Sequence, residues 1–232
     1  MPTLAFANPV PLPPRAALLA ALEEDRHHDA ADLAEALARA GAWDRVVAAT
    51  LVLCGDPGSP FRARAELELG TAEAAARIAD DPSSIDDWHV LLEGLVRLGR
   101  GPEALAGLRR AAAEGRIGVG PWHLLALALI DGGNLSGALA VTRGALEHHP
   151  VDPDLWALSA VLTAELGDAA AARSAIARAE AANPLHAAAW VARIRLALHE
   201  QDAAALARAR EVARTLGAPS PLLDFAAGAC YL

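Results

Sequence analysis

Two histidine pairs, two cysteines and one glycine-rich loop are the residues whose types could do chemistry in this chain. His27-His28 lies beside Asp25, Asp29 and Asp32. A metal ion needs three or four converging ligands. Adjacent histidines on a helix point in different directions, so this pair reads as a solvated turn. His148-His149 falls just before Pro150, in what reads as the last turn of a helix. A protonated imidazole there complements the helix dipole. The stretch GRIGVGP at 115–121 has the look of a phosphate loop. It follows a helical pattern rather than a strand and lacks GK[ST], so it reads as a joint. Cys54 and Cys230 form neither CxxC nor zinc spacing and read as small buried apolar residues. GxSxG, HExxH and nucleophile–base pairings do not occur. The chain has no lysine, which excludes a Walker phosphate lysine and a Schiff base. No catalytic, cofactor-binding or metal residue is expected, and the chain does not read as an enzyme.

Composition narrows the elements that carry these residues. A chain of 232 residues can bury a large core as one domain or two. The hydrophobic fraction is 54% but aromatics are only 4%. Most of the apolar content is Ala and Leu, both good helix formers, and the chain is expected to be all-α. The net charge of −9 argues against a nucleic-acid partner, without excluding a local basic patch. No run of about 18 apolar residues suggests a membrane span. The start, MPTLAFANPVPLPP, lacks a basic n-region, and a cytoplasmic location is expected.

The strongest pattern is a period. Trp88, Trp122, Trp156 and Trp190 stand 34 residues apart. Gly99, Gly133 and Gly167 keep the same interval, with Gln201 fourth. Arg100, Asn134, Asp168 and Asp202 follow them. Ala104, Ala138 and Ala172 hold one further phase, and Ala111, Ala145, Ala179 and Ala213 another. Pro150 and Pro184 close two of the units. Within one unit, Trp156, Ser159, Ala160 and Thr163 fall on one face of a first helix. Leu166-Gly167-Asp168 ends it, the glycine taking a left-handed position and the aspartate capping a second helix. Ala172, Ile176 and Ala179 line that second helix. Pro184 is expected in the first turn of the next unit.

A Trp, small residues at a close approach, a Gly turn, Ala in the second helix and a closing Pro over 34 residues resemble tetratricopeptide repeats. The units are Ile85–Gly118, Val119–Asp152, Pro153–His186 and a degenerate Ala187–Ser220. The resemblance implies a right-handed superhelical α-solenoid of antiparallel helix pairs. The family's first-helix aromatic is replaced by Leu95, Leu129, Thr163 and Ala197, which implies looser packing in places. The Trp residues are expected in the core.

In this family the first helices line a groove that binds a protein partner. Carried over, that groove takes His89, Glu93 and Arg97 from the first unit, with Asp86 and Val96 beside them. The next units give His123, Leu127, Ile130 and Asp131, then Ala157, Val161 and Glu165, with Asp154 and Ala164. The fourth gives Val191, Arg195 and His199, with Ala188 and Leu198. Leu127, Ile130, Val161 and Val191 would make an apolar middle suited to an amphipathic helix or extended peptide. Packing against neighbouring repeats is the alternative for these residues. The carboxylate-clasping mode of some members needs Lys, Arg and Asn where this chain is acidic or apolar.

The ends complete the organisation. Residues 1–14 read as a flexible Pro-rich tail. Residues 15–84 read as a capping helix and two divergent short helical-hairpin repeats, 85–220 as the four 34-residue repeats, and 221–232 as a capping helix. That last segment carries Leu223, Phe225 and Leu232, which could instead join a second copy and make a homo-oligomer. The expected function is a non-catalytic interaction adaptor or scaffold for a protein or peptide partner. The alternatives are a self-assembling scaffold and, further off, a ligand sensor or enzyme.

Overall fold

The computed structural model describes residues 14–215, which form twelve α-helices. The chain divides into two compact units, Met1–Glu73 and Ala74–Leu232. The tail and the C-terminal segment with Leu223, Phe225, Cys230 and Leu232 lie outside the described residues.

The first unit contains α1 (Pro14–Glu23), α2 (His27–Arg39), α3 (Arg45–Cys54) and the start of α4 (Pro60–Asp80). The alanine-rich face of α2 buries Ala30, Ala34 and Ala38 against Leu18 of α1 and Val47 and Leu51 of α3. Asp44 caps α3 by accepting from the Val46 and Val47 amides. Trp43 and Phe61 cover this core from its edge, and Arg64 lies 4.4 Å from the Trp43 ring. The hairpin expected over 29–57 is α2 and α3. The hairpin expected after it is one continuous helix, α4, running straight through Gly70. Gly70 is flanked by Ala, Leu and Glu, with no proline or terminating turn. A mid-helix glycine costs only about 1 kcal/mol, which those neighbours offset.

In the second unit the helices follow the period. They are α5 (Ile85–Arg97), α6 (Gly101–Ala113), α7 (Gly120–Asp131), α8 (Leu135–His148), α9 (Pro153–Glu165), α10 (Ala169–Ala182), α11 (Ala187–His199) and α12 (Ala203–Thr215). Short turns join α5 to α6, α7 to α8, α9 to α10 and α11 to α12, which makes each pair antiparallel. Gly99, Gly133 and Gly167 hold φ of +73°, +74° and +83°, and Gln201 holds +55° in the equivalent place. At Gly167 the chain closes with Asp168 N donating to Thr163 O and Gly167 N to Ala164 O, both 2.9 Å. Asn134, Asp168 and Asp202 then cap the second helices through their side-chain oxygens. Ala138, Ala160 and Ala172 are completely buried where the helices approach.

Pro150 and Pro184 sit in the turns between units, not in a first helical turn; Pro153 holds that position in α9. The turn prolines have another use. Trp88 Nε1 donates to Pro82 O at 3.0 Å and Trp156 Nε1 to Pro150 O at 2.8 Å. The indole thus ties each of these first helices to the turn six residues before it.

Burial of the four tryptophans is unequal. Trp88 and Trp122 are 5% and 0% exposed, whereas Trp156 and Trp190 are half-buried. Trp122 stacks on His148 at 5.9 Å and lies over Gly144, where a Cβ would stand 3.2 Å from the ring. Arginines instead lie over the half-buried pair, Arg178 at 5.2 Å from the Trp156 ring and Arg193 at 5.3 Å from Trp190.

Candidate functional site

The first helices pair as α5 with α7 and α9 with α11, while α9 meets the preceding repeat through α8. The two pairs present different surfaces. Between α5 and α7 runs an open cleft of about 630 Å³, with His89, Glu93 and Arg97 on one wall and Leu127 and Asp131 on the other.

The α5 wall is set by its cap. Ser84 Oγ accepts from Asp87 N at 3.3 Å and donates to Asp87 Oδ2 at 2.9 Å, and Trp88 is buried one residue later. His89, Glu93 and Arg97 then follow at single-turn spacing on the opposite face. Glu93 lies 3.5 Å from His89 Nε2 and 3.7 Å from Arg97 Nη1. On α7, burial of Trp122, Leu125, Ala126 and Leu129 turns Leu127 outward, and it is 52% exposed. Asp131 ends α7 with no ion-pair partner among the described residues. A carboxylate at a helix C-terminus is opposed by the helix dipole, so a partner's cation is favoured there.

Between α9 and α11 the same positions are tied together. Glu165 accepts from Arg195 at 3.2 Å and lies 3.3 Å from His199 Nε2. His186 Nε2 stands 2.8 Å from Asp154. Ala157 is buried, 2% exposed, against Ala179 and Ala189, so it presents no groove surface. Ile130 is half-buried on the core of the earlier repeats, while Val161 and Val191 pack on two separate cores. The continuous apolar middle expected from the sequence is therefore divided, and only Leu127 of its four residues is widely open. His123 is half-buried and does not line the cleft. Val96, Leu124, Ala128 and Gly132 complete the lining; of these only Val96 falls at a carried-over groove position.

The residues singled out for chemistry are elsewhere. His27 and His28 open α2 rather than forming a turn. Cys54 is half-buried, not buried, with Sγ 3.6 Å from His27 Nδ1. Among the described residues no group of three or more His, Cys, Asp or Glu side chains could hold a metal ion. No described helix is long and apolar enough to cross a membrane. Residues 114–119 join α6 to α7, with Gly115 at φ +67°, while Gly120 and Pro121 open α7 itself.

Helix pairs starting at Ile85, Gly120, Pro153 and Ala187 follow the 34-residue interval to within one residue, with a left-handed residue at each inner turn. The array is tetratricopeptide-like. No family model matches the chain, and no curated protein does. Among solved structures, it is similar to YrrB, described as a TPR protein with an unusual peptide-binding site. That likeness has 17% identity, covers 91% of this chain and 98% of that one, and has a TM-score of 0.48. MamA (MSR-1 C2) aligns at 20% identity over 74% of this chain and 95% of that one, with a TM-score of 0.34. The tetratricopeptide-like reading rests on the period, the turns and the Trp–turn bonds of this chain.

Proposed function

We propose that the chain is a non-catalytic protein-binding adaptor that holds a peptide or helix of a partner between α5 and α7. The observation that supports this is Leu127, 52% exposed inside a cleft of about 630 Å³. A pocket of that size accepts an apolar anchor, and anchors rather than rim charges carry most binding energy. Glu93 and Asp131 beside it favour a ligand with a lysine or arginine next to the anchor. Ile130 sits beneath as packing, and the α9–α11 surface with Val161, Glu165, Val191, Arg195 and His199 contributes at most a polar rim. The cytoplasmic location expected from the sequence belongs to the same proposal.

Selection from a displayed random peptide library tests it. The expected products share an apolar residue beside a cation and lose binding to Leu127→Glu, while that variant keeps its helical spectrum and melting temperature. Peptides that bind wild type and Leu127→Glu equally would refute the cleft as the site.

A further inference from the structure

The opposite face of the array carries a second set of features. The second helices α6, α8, α10 and α12 hold eight arginines against four glutamates. The first helices α5, α7, α9 and α11 hold three arginines against six carboxylates. In a chain of net charge −9, the second helices are thus a positive surface. Arg109, Arg110, Arg143, Arg178, Arg208 and Arg210 form no ion pair among the described residues.

Two clefts open on this surface at equivalent places. One, of about 400 Å³, lies between α8 and α10 with Trp156, Thr163 and Ala175 at its base. The other, of about 450 Å³, lies between α10 and α12 with Trp190, Ala197 and Ala209 in those same positions. Leu129 and Val141 occupy the corresponding places beside Trp122 and are buried there. Trimming these side chains to Thr and Ala leaves an aromatic wall with empty space beside it. Arg143 lines the first cleft and Arg208 the second, each exposed and free of a carboxylate.

We propose that this second-helix face docks an acidic segment of a partner protein, which places one apolar side chain in each cleft. α10 walls both clefts, so the two anchors flank one helix and stand about one helix diameter apart, about 10–12 Å. Two residues seven positions apart on a helix reach about 10.5 Å. Carboxylates between them face Arg143, Arg178 and Arg208. Among the described residues of the second helices, Glu147 at the first cleft is the one glutamate outside an ion pair, and it sets the segment's neutral or basic position. A nucleic acid is a poorer match, because each cleft offers one indole among aliphatic and small side chains with a glutamate at its edge, and the arginine excess is spread over four helices.

Fluorescence anisotropy with a labelled glutamate-rich peptide of about 16 residues, carrying two leucines seven apart, tests the proposal. Wild type should bind it and lose roughly tenfold in affinity when both leucines become serine. Arg143→Glu/Arg208→Glu should lose roughly tenfold as well, with an unchanged helical spectrum. Thr163→Leu/Ala197→Leu fills both clefts, and should abolish binding without lowering the melting temperature. Leu127→Glu should leave this binding intact, so the two faces succeed or fail separately. Equal affinity for a lysine-rich version, indifference to the arginine and cleft-filling variants, or tighter binding of oligothymidylate would overturn it.

Discussion

The second and third repeats use one backbone plan and fill it differently. Beside Trp122 stand Leu125, Leu129 and Val141; beside Trp156 the same positions are Ser159, Thr163 and Ala175. Gly144 lets Trp122 sink onto α8, whereas its counterpart Arg178 stays outside and lies over Trp156. The earlier repeats consequently share one large core running from Ile78 to Leu162. The later ones have small, separate cores made mostly of alanine. A repeat can keep its turns, caps and helix lengths while giving up side-chain volume. What it loses in packing it gains in accessible surface.

The largest effect should separate the two tryptophans. Trp122→Ala should cost about 3–5 kcal/mol in denaturant unfolding, the usual range for a buried large aromatic. Trp156→Ala, which the sequence alone would place in that same range, should cost roughly 1–3 kcal/mol, because its ring is half-buried. Equal losses would show that burial does not distinguish the two repeats. Ser159→Leu/Thr163→Leu, which copies Leu125 and Leu129, should raise stability by about 1–2 kcal/mol, read as a higher urea midpoint. The Thr163 hydroxyl bonds only to carbonyls of its own helix, Ser159 O at 2.7 Å and Ala160 O at 3.1 Å, so its removal strands no donor.

A smaller gain should come from Gln201→Gly. Gln201 holds φ +55°, a conformation that costs a non-glycine residue about 1 kcal/mol, and the substitution should return most of it. The smallest effect concerns pH. A hydrogen bond from Arg77, then one from Ser84, holds the Asp87 carboxyl below its ordinary value. The charged form is the one favoured in the folded chain. Its contribution is therefore complete above the ordinary unfolded carboxylate range and disappears as pH falls through the lowered value. Asp87→Asn should flatten that part of an acid melting series by lowering the neutral-pH melting temperature slightly and leaving the acid end unchanged.

The period made the second unit legible. Tryptophan, glycine and cap positions give the helix pairs, and Thr163 and Ala197 in place of a large side chain already imply loose packing. Other features depended on facts that spacing cannot carry. Leu127 and Val161 occupy the same groove positions, yet α9 meets the preceding repeat through α8 and leaves Leu127 open, whereas Val161 packs on the core that α9 shares with α10 and α11. Ala157 reads as a groove residue but is enclosed by Ala179 and Ala189. Gly70 stands midway between the turn glycines Gly41 and Gly99, 29 residues from each, without a cap or proline beside it, so helix propensity carries α4 through. The arginine face was hidden by the net charge, which sums two helix sets of opposite sign.

Separate small cores have a consequence for how the array comes apart. In a linear stack each repeat is held by its own stability and by its contacts with neighbours. Leucine-filled contacts couple α5 through α9 into one cooperative block. Alanine-filled contacts at α10, α11 and α12 bury less side-chain volume, so those helices should open in transient excursions that leave the block folded. Amide protons there should exchange through such partial openings, whereas those beneath Trp122 should wait for the whole block to unfold.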